Sequence, residues 1–132
     1  MAGILVSGVL YPIRPWKISG SKGLYHGAGW ALVGAGVAIS ASAVRAASEV
    51  DLERPSTLVS SGPYAISRNP MYVGWTLLYL GAALVTRNAW MVASLPAVAG
   101  FTHRDVLREE YVLQGAFGQD YTRYRKLVRR YL

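Results

Sequence analysis

Two polar stretches interrupt an otherwise apolar chain, and between them they hold the groups able to do chemistry. The first, Thr57 to Gly74, carries Tyr64, Arg68, Asn69 and Tyr72; the second, Arg104 to Tyr131, opens with the pair Glu109-Glu110 among arginines. A carboxylate so close to an apolar zone is costly to hold charged, so this pair needs a cationic partner or a cationic ligand. The absence of cysteine excludes disulfides, thiolate metal sites and thiol nucleophiles. His26 and His103 lie far apart in sequence and make no convincing metal site. The pairs Gly27/Gly29 and Gly34/Gly36 are not a dinucleotide loop, because the third glycine position is Leu32 or Ile39 and no strand precedes them.

The elements that must position these groups are membrane helices. Of 132 residues 52% are hydrophobic and only 16% charged, against about 25% charged in an ordinary soluble domain. The net charge of +7 comes from basic residues that flank apolar runs, which suits an anionic bilayer surface and argues against nucleic acid. From Gly23 to Val44 there is no Asp, Glu, Lys or Arg, enough for a span. Gly27, Gly29, Ala31, Gly34, Ala35, Gly36, Ala38, Ser40 and Ala43 make it a helix for close packing. Asn69 to His103 is too long for one span and reads as a helical hairpin turning at Thr86-Arg87-Asn88, with Pro70 opening the first arm. The second arm is expected to continue past the membrane into the charged segment. Met1 to Leu10 is half a span, read as a re-entrant or interfacial piece that remains in the mature protein. The fold class is thus all-α, an integral membrane helical bundle. It has about three full transmembrane helices, a short N-terminal apolar segment and a C-terminal amphipathic helical tail, in one domain over 1–132. Seven basic residues after His103 put the C-terminus on the cytoplasmic side.

Several residues have a plain structural reading as well. Arg68 could be a cation at the membrane edge, Glu109 and Glu110 could pair with Arg104 or Arg108, and Tyr121 and Tyr124 suit packing better than catalysis.

The motifs Ser61-Gly62-Pro63-Tyr64, Arg68-Asn69-Pro70-Met71-Tyr72-Val73-Gly74 and Glu109-Glu110, followed by Leu113, Phe117-Gly118, Tyr121 and Tyr124, resemble the isoprenylcysteine carboxyl methyltransferases and their phospholipid methyltransferase relatives. The likeness covers about residues 56–130. It implies an integral membrane enzyme that moves the methyl group of S-adenosylmethionine to a lipophilic acceptor, a carboxylate, thiol or amine. It further implies a cofactor-binding part at about 49–74 and 104–130. The implied cofactor contacts are Glu49, Ser56, Thr57, Leu58, Val59, Tyr64, Arg68, Asn69, Pro70, Met71, Tyr72, Glu109 and Glu110, with a carboxylate such as Glu109 suited to the cofactor's α-ammonium.

The chain departs from the family pattern at two places. Asn69 stands where a histidine is commonest, which removes a titratable base. Asp105 stands where the isoprenylcysteine enzymes place a substrate arginine, leaving Arg104 and Arg108 as candidates to orient an anionic acceptor. The short N-terminal part implies an acceptor channel built from little protein or from a second subunit in a homo-oligomer. A phospholipid or amine N-methyltransferase and a non-catalytic membrane interaction protein of the same fold are the alternatives; sterol reductases share the C-terminal likeness but need many more spans.

Overall fold

A computed structural model describes residues 16–48 and 58–132. They form three α-helices, α1 (Lys22–Ser48), α2 (Pro70–Thr86) and α3 (Ala89–Leu127), with a single 3-10 turn at Gly62–Ala65 before α2. No strand occurs among the described residues; isolated bridges pair Lys17 with Asn88 and Ser67 with Arg129.

Helices α1 and α2 run antiparallel with their backbones in contact. A Cβ on Gly29 would lie 2.9 Å from the Gly81 carbonyl oxygen, and one on Gly36 would lie 2.7 Å from that of Gly74. Added carbons on Gly74 and Gly81 would strike α1 in return, at Ser40 Oγ and at the Gly29 carbonyl. Gly29, Gly36 and Ala43 are the buried residues of α1, and their seven-residue spacing keeps them on one face for two turns at a time. Without side chains at these glycines the helices gain close dispersion contact, the drive that remains where lipid supplies no hydrophobic one. The other expected packing glycines, Gly27 and Gly34, have nothing within 4 Å of an added Cβ, because two residues along a helix is about 200° around it.

The hairpin turn is two residues long. Arg87 ends α2 in the left-handed region (φ 53°, ψ 33°), where a glycine is usual. The N-terminal strap holds it there: Arg87 Nε donates to the Ile18 carbonyl at 3.0 Å, and the Ile18 N–H donates to the Arg87 carbonyl at 2.9 Å. Asn88 caps α3 by accepting from the Trp90 N–H at 3.0 Å. Trp16 and Trp90 meet edge to face, 5.3 Å between ring centres.

The third helix continues past the hairpin arm into the charged segment, as expected; the bend within it was not foreseen. It runs unbroken from the hairpin through the charged segment and then reverses at Gly118, whose φ of 50° and ψ of −115° are non-helical. Only glycine takes that conformation cheaply. Gln114 braces the bend, donating from Nε2 to the Gly118 carbonyl at 2.8 Å and to Thr122 Oγ1 at 3.0 Å. The residues after the bend fold back on α3 and on the loop before α2, and Tyr121 and Tyr124 are buried, as is Val106.

Of the described helices, α1 alone is long and apolar enough to cross a bilayer, and only 17% of its most apolar stretch is buried in the protein, unlike the core helix of a soluble domain. Helix α2 is apolar but 17 residues long, about 25 Å. The expected N-terminal half-span lies outside the described residues.

Candidate active site

The polar corner of the molecule is built around Glu110. It lies one turn after Val106 on the buried side of α3 and is 7% exposed. A buried carboxylate demands close cations, and two arrive from distant parts of the chain. Arg130 grips it as a fork, Nε to Oε1 at 3.0 Å and Nη2 to Oε2 at 3.1 Å. Arg68 places Nη2 at 3.4 Å from Oε1, and Asn69 donates from Nδ2 to the same oxygen at 3.5 Å. The backbone follows these contacts. The Arg68 N–H donates to the Arg129 carbonyl at 2.9 Å, and Ser67 Oγ and Asn69 Nδ2 donate to the Arg130 carbonyl. Tyr124 donates its hydroxyl to the Tyr64 carbonyl at 2.6 Å. Burial pushes the Tyr124 hydroxyl up to about 12. Burial first, and the charge of Glu109 second, also raise Tyr64.

Glu109 differs from its neighbour. Consecutive helical residues point about 100° apart, so with Glu110 turned inward Glu109 is exposed. Its Oε1 accepts from the Tyr72 hydroxyl at 2.7 Å. Tyr72 in turn lines a cleft of about 570 Å³ between α2 and α3, with Trp75, Tyr79, Leu95 and Phe101 as apolar walls and Asp105 at the Tyr72 end. The cleft extends from Asp105 toward Met91, about 20 Å along α3 at 1.5 Å per residue.

The structure therefore brings together Tyr64, Arg68, Asn69, Pro70 and Tyr72 with Glu109 and Glu110. Pro70 is the buried first residue of α2, Met71 is half-buried beside it, and Leu58 and Val59 are half-buried ahead of the 3-10 turn. Glu49, Ser56 and Thr57 lie outside the described residues. Arg104 and Arg108 are exposed and do not line the cleft; Arg108 pairs with Asp105 at 3.5 Å. Arg68 is not a membrane-edge cation, since its side chain is 8% exposed. Sequence reasoning missed Arg130, treated as one of many tail cations, and the apolar cleft residues. The one available signal for Arg130 was that two carboxylates next to an apolar zone need partners.

The profile of the phospholipid methyltransferase family matches residues 24–120, from the start of α1 to just beyond the bend at Gly118. The chain belongs to this family. It is similar to the protein-S-isoprenylcysteine O-methyltransferase of Homo sapiens, 37% identical over 73 residues that make up 54% of this chain and 26% of that protein. It is also similar to the enzyme of the same name from Xenopus laevis, 36% identical over 73 residues, 54% and 25% of the two chains. The chain spans about a quarter of the length of these relatives. No solved structure matches it.

Proposed function

We propose that this chain is an integral membrane methyltransferase, a single domain over 1–132 that uses S-adenosylmethionine to methylate a lipophilic acceptor. The observation that carries the reading is the position of Tyr72, whose ring lines the apolar cleft while its hydroxyl holds the exposed carboxylate of Glu109. One residue thus joins a polar corner fit for a zwitterionic nucleoside to a cleft fit for a hydrocarbon. Glu109 keeps Oε2 open for an α-ammonium, and the half-buried Leu58, Val59, Tyr64 and Met71 offer apolar surface and backbone groups to the rest of the cofactor. Glu49, Ser56 and Thr57 are assigned to the same cofactor, and Pro70 sets the direction of the segment that carries them into α2. Bound there, S-adenosylmethionine supplies a methyl group on a sulfonium, activated toward direct displacement. The protein's part is to align the acceptor along the cleft and to keep water out. The reading takes α1, α2 and the apolar half of α3 as three spans, with the basic C-terminal arm and the cofactor corner on the cytoplasmic side.

Two acceptor classes follow from the rim of the cleft. The curated relatives carry a carboxyl-methylation name, and an anionic acceptor here would be met by Arg104 and Arg108. Asp105 favours the other class, an amine on a lipid-like body, because the acidic side chain is the charged residue that lines the cleft itself.

Calorimetry of S-adenosylhomocysteine binding to the protein in nanodiscs tests the reading. Micromolar binding is expected, reduced at least about tenfold in Glu109→Ala, which removes one charge-assisted contact. A folded wild-type protein that binds nothing would return it to a non-catalytic interaction role. Acceptor screening then compares prenyl thioether acids, thiols and phosphatidylethanolamine.

A further inference from the structure

The apolar cleft is crossed by a polar contact that has no part in holding the cofactor. Tyr79 lines the cleft from α2, and its hydroxyl lies 2.7 Å from Ser94 Oγ on α3. Ser94 gives its own proton to the Met91 carbonyl at 3.0 Å, so the Tyr79 O–H is the donor and the Ser94 oxygen the acceptor. A side chain that starts on one wall and hydrogen-bonds to the other lays its ring across the gap between them.

The level of this bar follows from register. Helices α2 and α3 are the arms of one hairpin, so Tyr79 and Ser94 lie between the rim at Tyr72 and Asp105 and the hairpin end at Ala82 and Met91. The cleft differs on its two sides. Toward the rim, Trp75 and Phe101 line it while more than half exposed, which leaves that part open sideways between the helices. The Thr76 hydroxyl there donates to the Tyr72 carbonyl at 2.8 Å, so its polar atom is met within its own helix. Toward the hairpin, Met91 is buried and the Thr86 hydroxyl reaches its sulfur at 3.9 Å. A hydrocarbon tail entering from a bilayer gains little hydrophobic energy, because lipid is as apolar as the cleft. Selection among tails must then come from shape and from polar groups that a tail would disturb. Passing the bar would break the Tyr79–Ser94 bond and leave a hydroxyl without a partner.

We propose that Tyr79, held across the cleft by Ser94, is a length stop for the hydrocarbon tail of the methyl acceptor; this rests on the acceptor cleft of the reading above. The stop lies seven residues from Tyr72 and eleven from Asp105, about 10 and 16 Å at 1.5 Å per residue. An extended chain of 1.5 Å bonds advances about 1.25 Å per carbon, so that depth holds roughly 8 to 13 carbons. Removing the bar adds the turn from Tyr79 to Ala82, about 4.5 Å, or three to four carbons. Neither residue meets the reacting atoms; both act on which tail fits.

The full chain in nanodiscs is photolabelled with single-chain ethanolamine phospholipids and with S-alkyl thioether acids of roughly 8 to 18 carbons, each with a diazirine at the chain end. Mass spectrometry reads the labelled residues, and no methyl donor is needed, so the result stands apart from the cofactor test. Tails up to the limit are expected to label Tyr79 or Val98. Longer tails should label the cleft about tenfold less, the worth of the broken bond and stranded hydroxyl, and leave Met91 and Ala82 unlabelled. Tyr79→Ala should move the limit up by three to four carbons and bring label onto Met91. Tyr79→Phe and Ser94→Ala keep the ring but not the bond, and should raise the yield from longer tails by a smaller factor, about threefold. A merely structural tie between α2 and α3 would lower labelling by every length together and leave the limit in place, which overturns the stop. If Tyr79→Ala does not fold, Tyr79→Phe and Ser94→Ala decide. Wild-type labelling of Met91 by the longest tails overturns the stop but keeps the acceptor cleft, whereas no labelling in the cleft at any length overturns both. A resident bilayer lipid has the same tail chemistry, so a third series carries a phosphatidylglycerol head, which offers no methyl-accepting group. The same yield and limit from that series assigns the cleft to a structural lipid and overturns the proposal.

Discussion

The seam between α1 and α2 and the corner around Glu110 hold distant parts of the chain together by opposite means. At the seam, Gly29 and Gly36 meet the backbone of Gly81 and Gly74, and Val33, Ser40, Leu78 and Val85 pack into the space the glycines leave. At the corner, a carboxylate, two guanidiniums and an amide are drawn together out of water by charge and hydrogen bonds. The seam works by omitting side chains at the glycines and would be spoiled by adding an atom there. The corner works by completing a set of partners and would be spoiled by removing one. Dispersion is short-ranged and insensitive to solution conditions, which suits a scaffold; an ionic set can exchange partners, which suits a site.

The sharpest way to break the comparison is to remove Glu110. Glu110→Ala leaves Arg68 buried with no anion and is expected to destabilise the protein by about 3–5 kcal/mol, the range for breaking a buried pair from one side. Thermal unfolding in detergent measures it, and a loss below about 1 kcal/mol would mean that the corner is wetter than its burial indicates. Gly36→Leu comes next, at about 3 kcal/mol, since the Gly74 carbonyl cannot yield as a flexible side chain would. Gly34→Leu on the same helix, where an added carbon meets nothing, should change stability by less than about 0.5 kcal/mol. Equal effects of the two substitutions would remove the seam from the account.

The two regions also differ in how far the sequence discloses them. A stretch without charges from Gly23 to Val44 becomes α1, Lys22–Ser48, and the polar triplet at 86–88 becomes the hairpin turn, because composition alone decides which segments can be apolar helices. Pro70 opens α2 as its fixed φ requires. Which glycines touch was not legible: Gly27 and Gly29 are equivalent as text, and only the placement of α2 separates them. In the corner, the chemistry of Glu109-Glu110 was legible and the division of labour between them was not. Helical geometry says that the two point apart; which one turns inward depends on the fold-back at Gly118. That bend and Arg130 both escaped the sequence for one reason. A lone glycine inside a helical pattern and one arginine among seven basic tail residues carry no local mark; Arg130 acquires its role from Glu110, 20 positions away, and the bend from the docking of the arm after it, where Tyr124 meets Tyr64 60 positions away.

Smaller effects sharpen the contrast through pH. Tyr124 has its hydroxyl raised to about 12 from 10.0, so the folded state favours the neutral form. The stability it lends is complete below pH 10 and is lost as the pH rises through 12, when the hydroxyl that donates to the Tyr64 carbonyl must ionise. The glycine seam contains nothing to titrate. Limited proteolysis between pH 8 and 12 should accordingly show the arm after Gly118 loosening from the loop before α2 while α1 and α2 stay protected. Simultaneous loss of both would show one cooperative unit.

The smallest expected effect on stability belongs to Asp105, and it bears most directly on function. Its pair with Arg108 is exposed on both sides, so Asp105→Asn should cost no more than about 0.5 kcal/mol. Yet Asp105 is the charged residue lining the cleft, at the end where Tyr72 reaches toward Glu109. If the acceptor is an amine, the negative charge draws in its cationic form, which releases its proton to water before the neutral amine accepts the methyl group, and Asp105→Asn should raise KM for phosphatidylethanolamine about tenfold with little change in S-adenosylmethionine affinity. If the acceptor is an acid, the same substitution removes a repulsion and frees Arg108, so KM for a prenyl thioether acid should fall. The two outcomes have opposite signs for one isosteric change. The measurement therefore separates the acceptor classes without disturbing either the seam or the corner that hold the cleft in place.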